Sequence, residues 1–148
     1  MFIGDEYRGR LDDHSRKVIH ECLNIIESYG DTSVAIHRDD DTECVILVTV
    51  MRSVPLLSVI YADELAFRDR SDPGILLAVN EMNFSSITGW HAVSLSDDTV
   101  LYMYRQCIRL SPALSHEILF PILKEGVSEY KKGKTRIMTS DDPAGPAA

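Results

Sequence analysis

The sequence predicts an α+β domain built on an antiparallel sheet, with elements in the order α-β-β-β-α-β-β-α. Three observations predict it. Apolar residues recur at three- and four-residue spacing in three separated stretches, which is the helical period. Between them lie short runs rich in Val, Ile, Leu and Tyr, bounded by Asp, Ser, Gly and Pro, which read as strands. Those runs follow one another across short turns, and short turns impose antiparallel pairing.

The first helix is expected over Asp13 to Tyr29. Val18, Ile19, Cys22, Leu23 and Ile26 share a stripe there, while Arg16, Lys17, Glu21 and Asn24 fall mostly elsewhere. Asp12 or Asp13 can cap its start, and Gly30 is placed to end it. Ser33 to His37 is the first strand, closed by the polar turn Asp39-Asp40-Asp41. Cys44 to Met51 is the strongest strand in the chain, and Leu56 to Tyr61 is the third, with Pro55 at its start. Glu64 to Arg70 connects to a second helix announced by Ser71-Asp72-Pro73. Ile75, Leu76, Val79, Met82 and Asn83 share one face of it. Trp90 to Leu95, a turn at Ser96-Asp97-Asp98-Thr99, and Val100 to Ile108 then form a hairpin. Ser111-Pro112 signals the last helix, whose apolar side carries Leu114, Ile118, Leu119, Ile122, Leu123, Val127 and Tyr130. Pro121 inside it is expected to kink or divide it. Residues 1–12 read as a flexible lead-in, 13–134 as one domain and 135–148 as a disordered tail.

At 148 residues the chain has the size of one domain. A domain of that length buries about 70% of the surface its unfolded chain exposes and needs no staples. The formal net charge of −8 argues against nucleic acid and anionic membrane as partners. Cys22, Cys44 and Cys107 are an odd, scattered set inside apolar segments. They read as reduced and buried, which points to the cytoplasm. No apolar run approaches the ~20 residues of a membrane helix, and no secretion leader is expected.

Catalytic and metal chemistry finds little to stand on. The five histidines, His14, His20, His37, His91 and His116, show no H-x-x-x-H spacing, and no C-x-x-C occurs. Asp39-Asp40-Asp41 lacks the alternating ligands and closing glutamate of a calcium loop and reads as a turn. There is no G-x-S-x-G elbow. Gly9 between arginines and Gly133 among lysines read as solvated basic turns, not phosphate loops. No cofactor is expected.

Two strands are apolar on both faces. One face of the second reads Cys44, Ile46, Val48 and Val50, the other Val45, Leu47, Thr49 and Met51. In the last, Val100, Tyr102 and Tyr104 oppose Leu101, Met103 and Cys107. Either these strands are central and wrapped on both sides, or one face meets a dimer partner or a bound peptide. On the second reading Trp90, Tyr102, Tyr104, Val48 and Val50 are the expected partner or dimer contacts. Asn80 and Asn83, three apart near the end of the second helix, are the odd polar pair. Asn83 is expected to bond the backbone of the following turn and fix how the chain enters Trp90, in preference to holding a ligand.

Val79-Asn80-Glu81-Met82-Asn83, then Gly89-Trp90-His91-Ala92-Val93, then the Asp97-Asp98-Thr99-Val100-Leu101 hairpin, together form a familiar layout. It resembles the type III secretion chaperone-like fold shared by class I secretion chaperones and the YbjN-type (bacterial sensory transduction regulator) family. The likeness spans Asp13 to Lys132, with Asn80 and Asn83 matching the paired asparagines of the YbjN-type pattern. Pro121 departs from a simple family helix. The resemblance implies a small, acidic, cytoplasmic bacterial protein, usually a homodimer, with no catalytic residues. It implies a non-enzymatic module that binds a protein partner through apolar sheet and helix surface. The alternative is a YbjN-type regulator acting by protein contacts outside any secretion system.

Overall fold

The computed structural model describes residues 5–51, 53–65, 73–95 and 99–140. Its elements are α1 (Asp5–Cys22), β1 (Ile25–Tyr29), β2 (Thr32–Arg38), β3 (Glu43–Val50), β4 (Leu56–Leu65), α2 (Pro73–Ser85), β5 (Gly89–Leu95), β6 (Val100–Arg109) and α3 (His116–Ser140). The six strands form one sheet in the order β1-β2-β3-β4-β6-β5, and every neighbouring pair is antiparallel. The α+β class is as expected, and the order gains one strand.

That strand is a correction at the first helix. Asp5 to Cys22 is helical, so residues 5–12 are not a loose lead-in. The helix stops at Cys22, and Ile25 to Tyr29 turns back as β1. The reason is local. Ile25, Ile26 and Tyr29 are β-formers. Gly30 supplies a positive φ of 60° between Tyr29 and Thr32, as a tight two-residue hairpin requires. Gly30 therefore makes a strand turn, not a helix cap.

At the other end, α3 runs unbroken through Pro121 to Ser140, so residues 135–140 belong to the helix and not to a tail. Pro121 removes the bond to the Glu117 carbonyl, but both residues lie on the exposed side, where water can serve that oxygen. Ser111 and Pro112 build a turn ahead of the helix: the Ala113 amide donates to Ser111 Oγ. The helix itself opens on Ser115, whose carbonyl accepts from the Ile118 and Leu119 amides. The expected turn at residues 96–98, the signal at residues 71–72, the connector at 66–70 and the tail at 141–148 lie outside the described residues.

The helices cover one face of the sheet. α3 crosses β4 and β6, α2 lies against β5, and α1 reaches β3. Register sets what faces them. Ile46, Tyr61, Tyr104 and His91 line up across β3, β4, β6 and β5. Val48, Val59 and Gln106 form the next row, Val50 and Leu57 the one after. These side chains are buried with Ile19, Ile75, Leu119, Tyr130 and Ile137 from the helices. Two helical glycines set the spacing. A Cβ on Gly126 would collide with the Tyr61 hydroxyl, and one on Gly133 with the Tyr102 hydroxyl. They stand two helical turns apart, so α3 comes down on the sheet through two notches filled by tyrosines. Gly133 is thus a buried packing position and not a solvated basic turn.

Candidate functional site: the uncovered apolar surfaces

The joint between α2 and the hairpin is built by Asn83. Its amide nitrogen donates to the His91 carbonyl at 2.8 Å, and its oxygen accepts from the His91 amide at 2.6 Å. Both backbone groups of His91 therefore point away from β6, to the outer edge of β5. One side chain does there what a neighbouring strand would do. Ser86 extends the effect, donating to the Gly89 carbonyl at 2.7 Å. The expectation for Asn83 holds: it fixes the entry into Trp90. Asn80 is exposed on the same helix.

Beneath that joint lies a ring cluster. His91 Nδ1 and the Tyr102 hydroxyl are 2.7 Å apart, and the His91 ring lies 4.9 Å from Tyr104. Tyr102 stacks on Tyr130 at 5.2 Å. Tyr61 donates to Gln106 Oε1 at 2.7 Å. Burial holds the Tyr61, Tyr102 and Tyr130 hydroxyls far above their ordinary range. Burial also lowers the His91 pKa, with Glu129 opposing it. A polar cleft of about 320 Å³ opens above His91 between α2 and α3, and the Glu81–Arg136 ion pair joins the two helices beside it.

This cluster corrects the expected partner surface. Tyr102 and Tyr104 are fully buried, and Val48 and Val50 nearly so, all on the helix-covered side. They are core and cannot meet a partner in this fold. Trp90 lies on the other side. It pairs with Arg105, and the guanidinium of Arg105 rests 5.2 Å from the indole centroid while Arg105 Nε donates to Ser58. The reason is the strand period of two. Trp90 pairs with an odd-numbered residue of β6, whereas the tyrosines are even-numbered, so the three aromatics divide between the faces.

Among the described residues no helix lies on the face carrying Trp90. Ile36, Val45, Leu47, Ile60, Ala62, Met103 and Leu101 share it and are exposed or half-buried. A second apolar surface was missed from sequence. On the outer side of α2, Leu76 and Leu77 are more than half exposed, and Phe84 and Ile87 at its end are 95% and 96% exposed. The signal was present: α2 contains a single charged residue, Glu81, and is apolar nearly all round. One side, Ile75, Ala78, Val79 and Met82, packs inward. The other, with Leu76 and Leu77, stays exposed among the described residues.

Among the described residues no group of three His, Cys, Asp or Glu side chains is placed to hold a metal. Asp39 serves its turn, accepting from the Asp41 and Thr42 amides at 2.9 and 2.8 Å, and it pairs with Lys131 and His37. Those partners, Lys131 first, hold its carboxyl well below the usual range. The cysteines are unpaired. Burial pushes the Cys44 thiol up to about 12. Cys107, against expectation, is exposed, because it sits on the bare face of β6. No described helix is long and apolar enough to cross a membrane.

This is a two-layer α+β fold with three helices on one side of an open antiparallel sheet. The solved structure of YbjN from E. coli, a proposed transcription regulator, shares it with a TM-score of 0.61 over 86% of this chain and 89% of that one, at 10% identity. A chain of the HopA1-SchA chaperone-effector complex is similar over 89% of this chain and 93% of its own, at 17% identity and a TM-score of 0.49. No family model and no curated protein matches the sequence. The YbjN-type fold expected from the Asn80–Asn83 helix and its hairpin is therefore the fold found.

Proposed function

We propose that this chain is a non-enzymatic, cytoplasmic protein-binding module that pairs as a homodimer and takes a protein partner on apolar surface. The observation that carries the reading is the outer stripe of α2, where Leu76, Leu77, Phe84 and Ile87 stand open to solvent. Four such side chains offer roughly 500–600 Å² from each copy, near the lower end of a specific interface. The stripe suits a second copy. At a net charge of −8 two copies repel, and α2 carries one charge, Glu81, already met by Arg136. The bare sheet face with Trp90 is then left for a different protein.

Light scattering at micromolar concentration tests it. The chain should run as a dimer, and Phe84→Asp should give a folded monomer, because Phe84 is 95% exposed in its own chain. A wild-type monomer would end the dimer reading. The second reading is a regulator acting through protein contacts; YbjN, which shares the fold, is a proposed transcription regulator. Neighbouring genes discriminate: a secretion operon favours the chaperone, and its absence favours the regulator.

A further inference from the structure

A cleft of about 520 Å³ lies between the end of α1, the strands β2 and β3, and α3, well away from both surfaces just described. Its size is usual for a small-molecule site. Leu23, Ile46, Leu123 and Val127 line its apolar part, with Cys22 and Phe120 as walls. Its polar groups gather in two places. At one end His37 and Lys131 both engage the Asp39 carboxylate, so that end is satisfied within itself. The Asp39–Lys131 pair also ties the end of β2 to α3. Nearer Phe120 stands Lys124, its ammonium 5.8 Å from the Phe120 ring and without an ion pair among the described residues. Ser128 lines the cleft one helical turn further on.

We propose that this cleft binds an aliphatic monocarboxylate, its tail on Leu23, Ile46 and Val127 and its carboxylate between Lys124 and Ser128. The charges select the class. One lining cation without an ion pair among the described residues matches one negative charge. A polyanion would meet the Asp39 carboxylate in the lining, with Asp40 and Asp41 next to it in sequence, in a chain already at −8. A cationic amphiphile would find Asp39, the one lining carboxylate among the described residues, already occupied. An uncharged alcohol would fill the apolar part and leave Lys124 unanswered.

The test titrates the full chain with decanoate, read by calorimetry and by amide chemical shifts. Saturable binding is expected, with shifts at Leu23, Ile46, Val127 and Ser128. Decanol and decylamine should bind about tenfold more weakly or not at all. Lys124→Glu should weaken decanoate by about tenfold or more, while Lys132→Glu, on the same helix outside the cleft, should leave it unchanged. The proposal is overturned by absence of saturable binding, by equal binding of decanol, by an unaffected Lys124→Glu, or by shifts confined to the bare sheet face around Trp90 and Met103. The oligomeric state is read in the same samples, so loss of the cleft's ligand and loss of the dimer are told apart.

Discussion

Strand β6 presents Val100, Tyr102, Tyr104 and Gln106 to the helices, and each is at most 3% exposed. Its alternate residues, Leu101, Met103 and Arg105, face the other way and are only half-buried, and Cys107 is exposed. Both sets are mostly apolar and look similar on paper. The covered side is organised by hydrogen bonds that admit one arrangement: tyrosine hydroxyls in helical glycine notches, and Asn83 locked on the His91 backbone. The bare side has Arg105 laid over Trp90 and little else to hold its side chains. Specific polar contacts inside apolar packing mark the side that builds the fold. Their scarcity marks the side available to a partner.

The largest effect should come from closing a notch. In an open helical position alanine in place of glycine stabilises by up to about 1 kcal/mol. At Gly133 the new methyl meets the Tyr102 hydroxyl, which His91 holds in place, so Gly133→Ala should cost about 2–3 kcal/mol in denaturant unfolding. Gly9→Ala, where nothing lies within 4 Å, should give the opposite sign. If both variants stabilise, the covered face has slack and the contrast fails. Asn83→Ala comes next. It leaves two backbone groups of His91 without their partner and opens the edge of β5, for a loss of about 1–3 kcal/mol. Hydrogen exchange at the His91 amide should rise with it.

Acid gives a smaller, graded effect. Because burial lowers the His91 pKa in the folded state, the unfolded chain takes up the proton first. Stability is therefore full above the ordinary histidine range and falls as pH drops through about 6. His91→Asn should flatten that part of the melting-temperature profile. On the bare face, Trp90→Ala should cost about 1 kcal/mol, less than closing a notch, since the indole is 42% exposed and packs mainly under Arg105. It should weaken capture of a protein partner all the same. Large destabilisation with unchanged capture would mean the indole belongs to the core after all.

The strands from Thr32 to Tyr61, α2, the β5–β6 hairpin and the role of Asn83 were all legible from residue pattern. Each rests on local chemistry, a period or a short-range bond. Three features were not. Ile25 and Ile26 continue the helical spacing of the residues before them, and their strand preference tells only with the Gly30 turn and β2 in place to pair. Gly133 among lysines reads as a turn until Tyr102 is seen filling its place. Tyr102 and Tyr104 read as interface aromatics because a strand apolar on both sides does not say which side the helices take.

The sequence by itself determined the α+β class, the antiparallel hairpins and the Asn83 joint, because periodicity, turn chemistry and short-range hydrogen bonds are properties of neighbouring residues. The tertiary structure decided which apolar face is core and which is open, where α3 meets the sheet, and that the outer side of α2 stays uncovered. Those outcomes depend on the placement of elements distant in the chain, and burial is settled only when the elements meet.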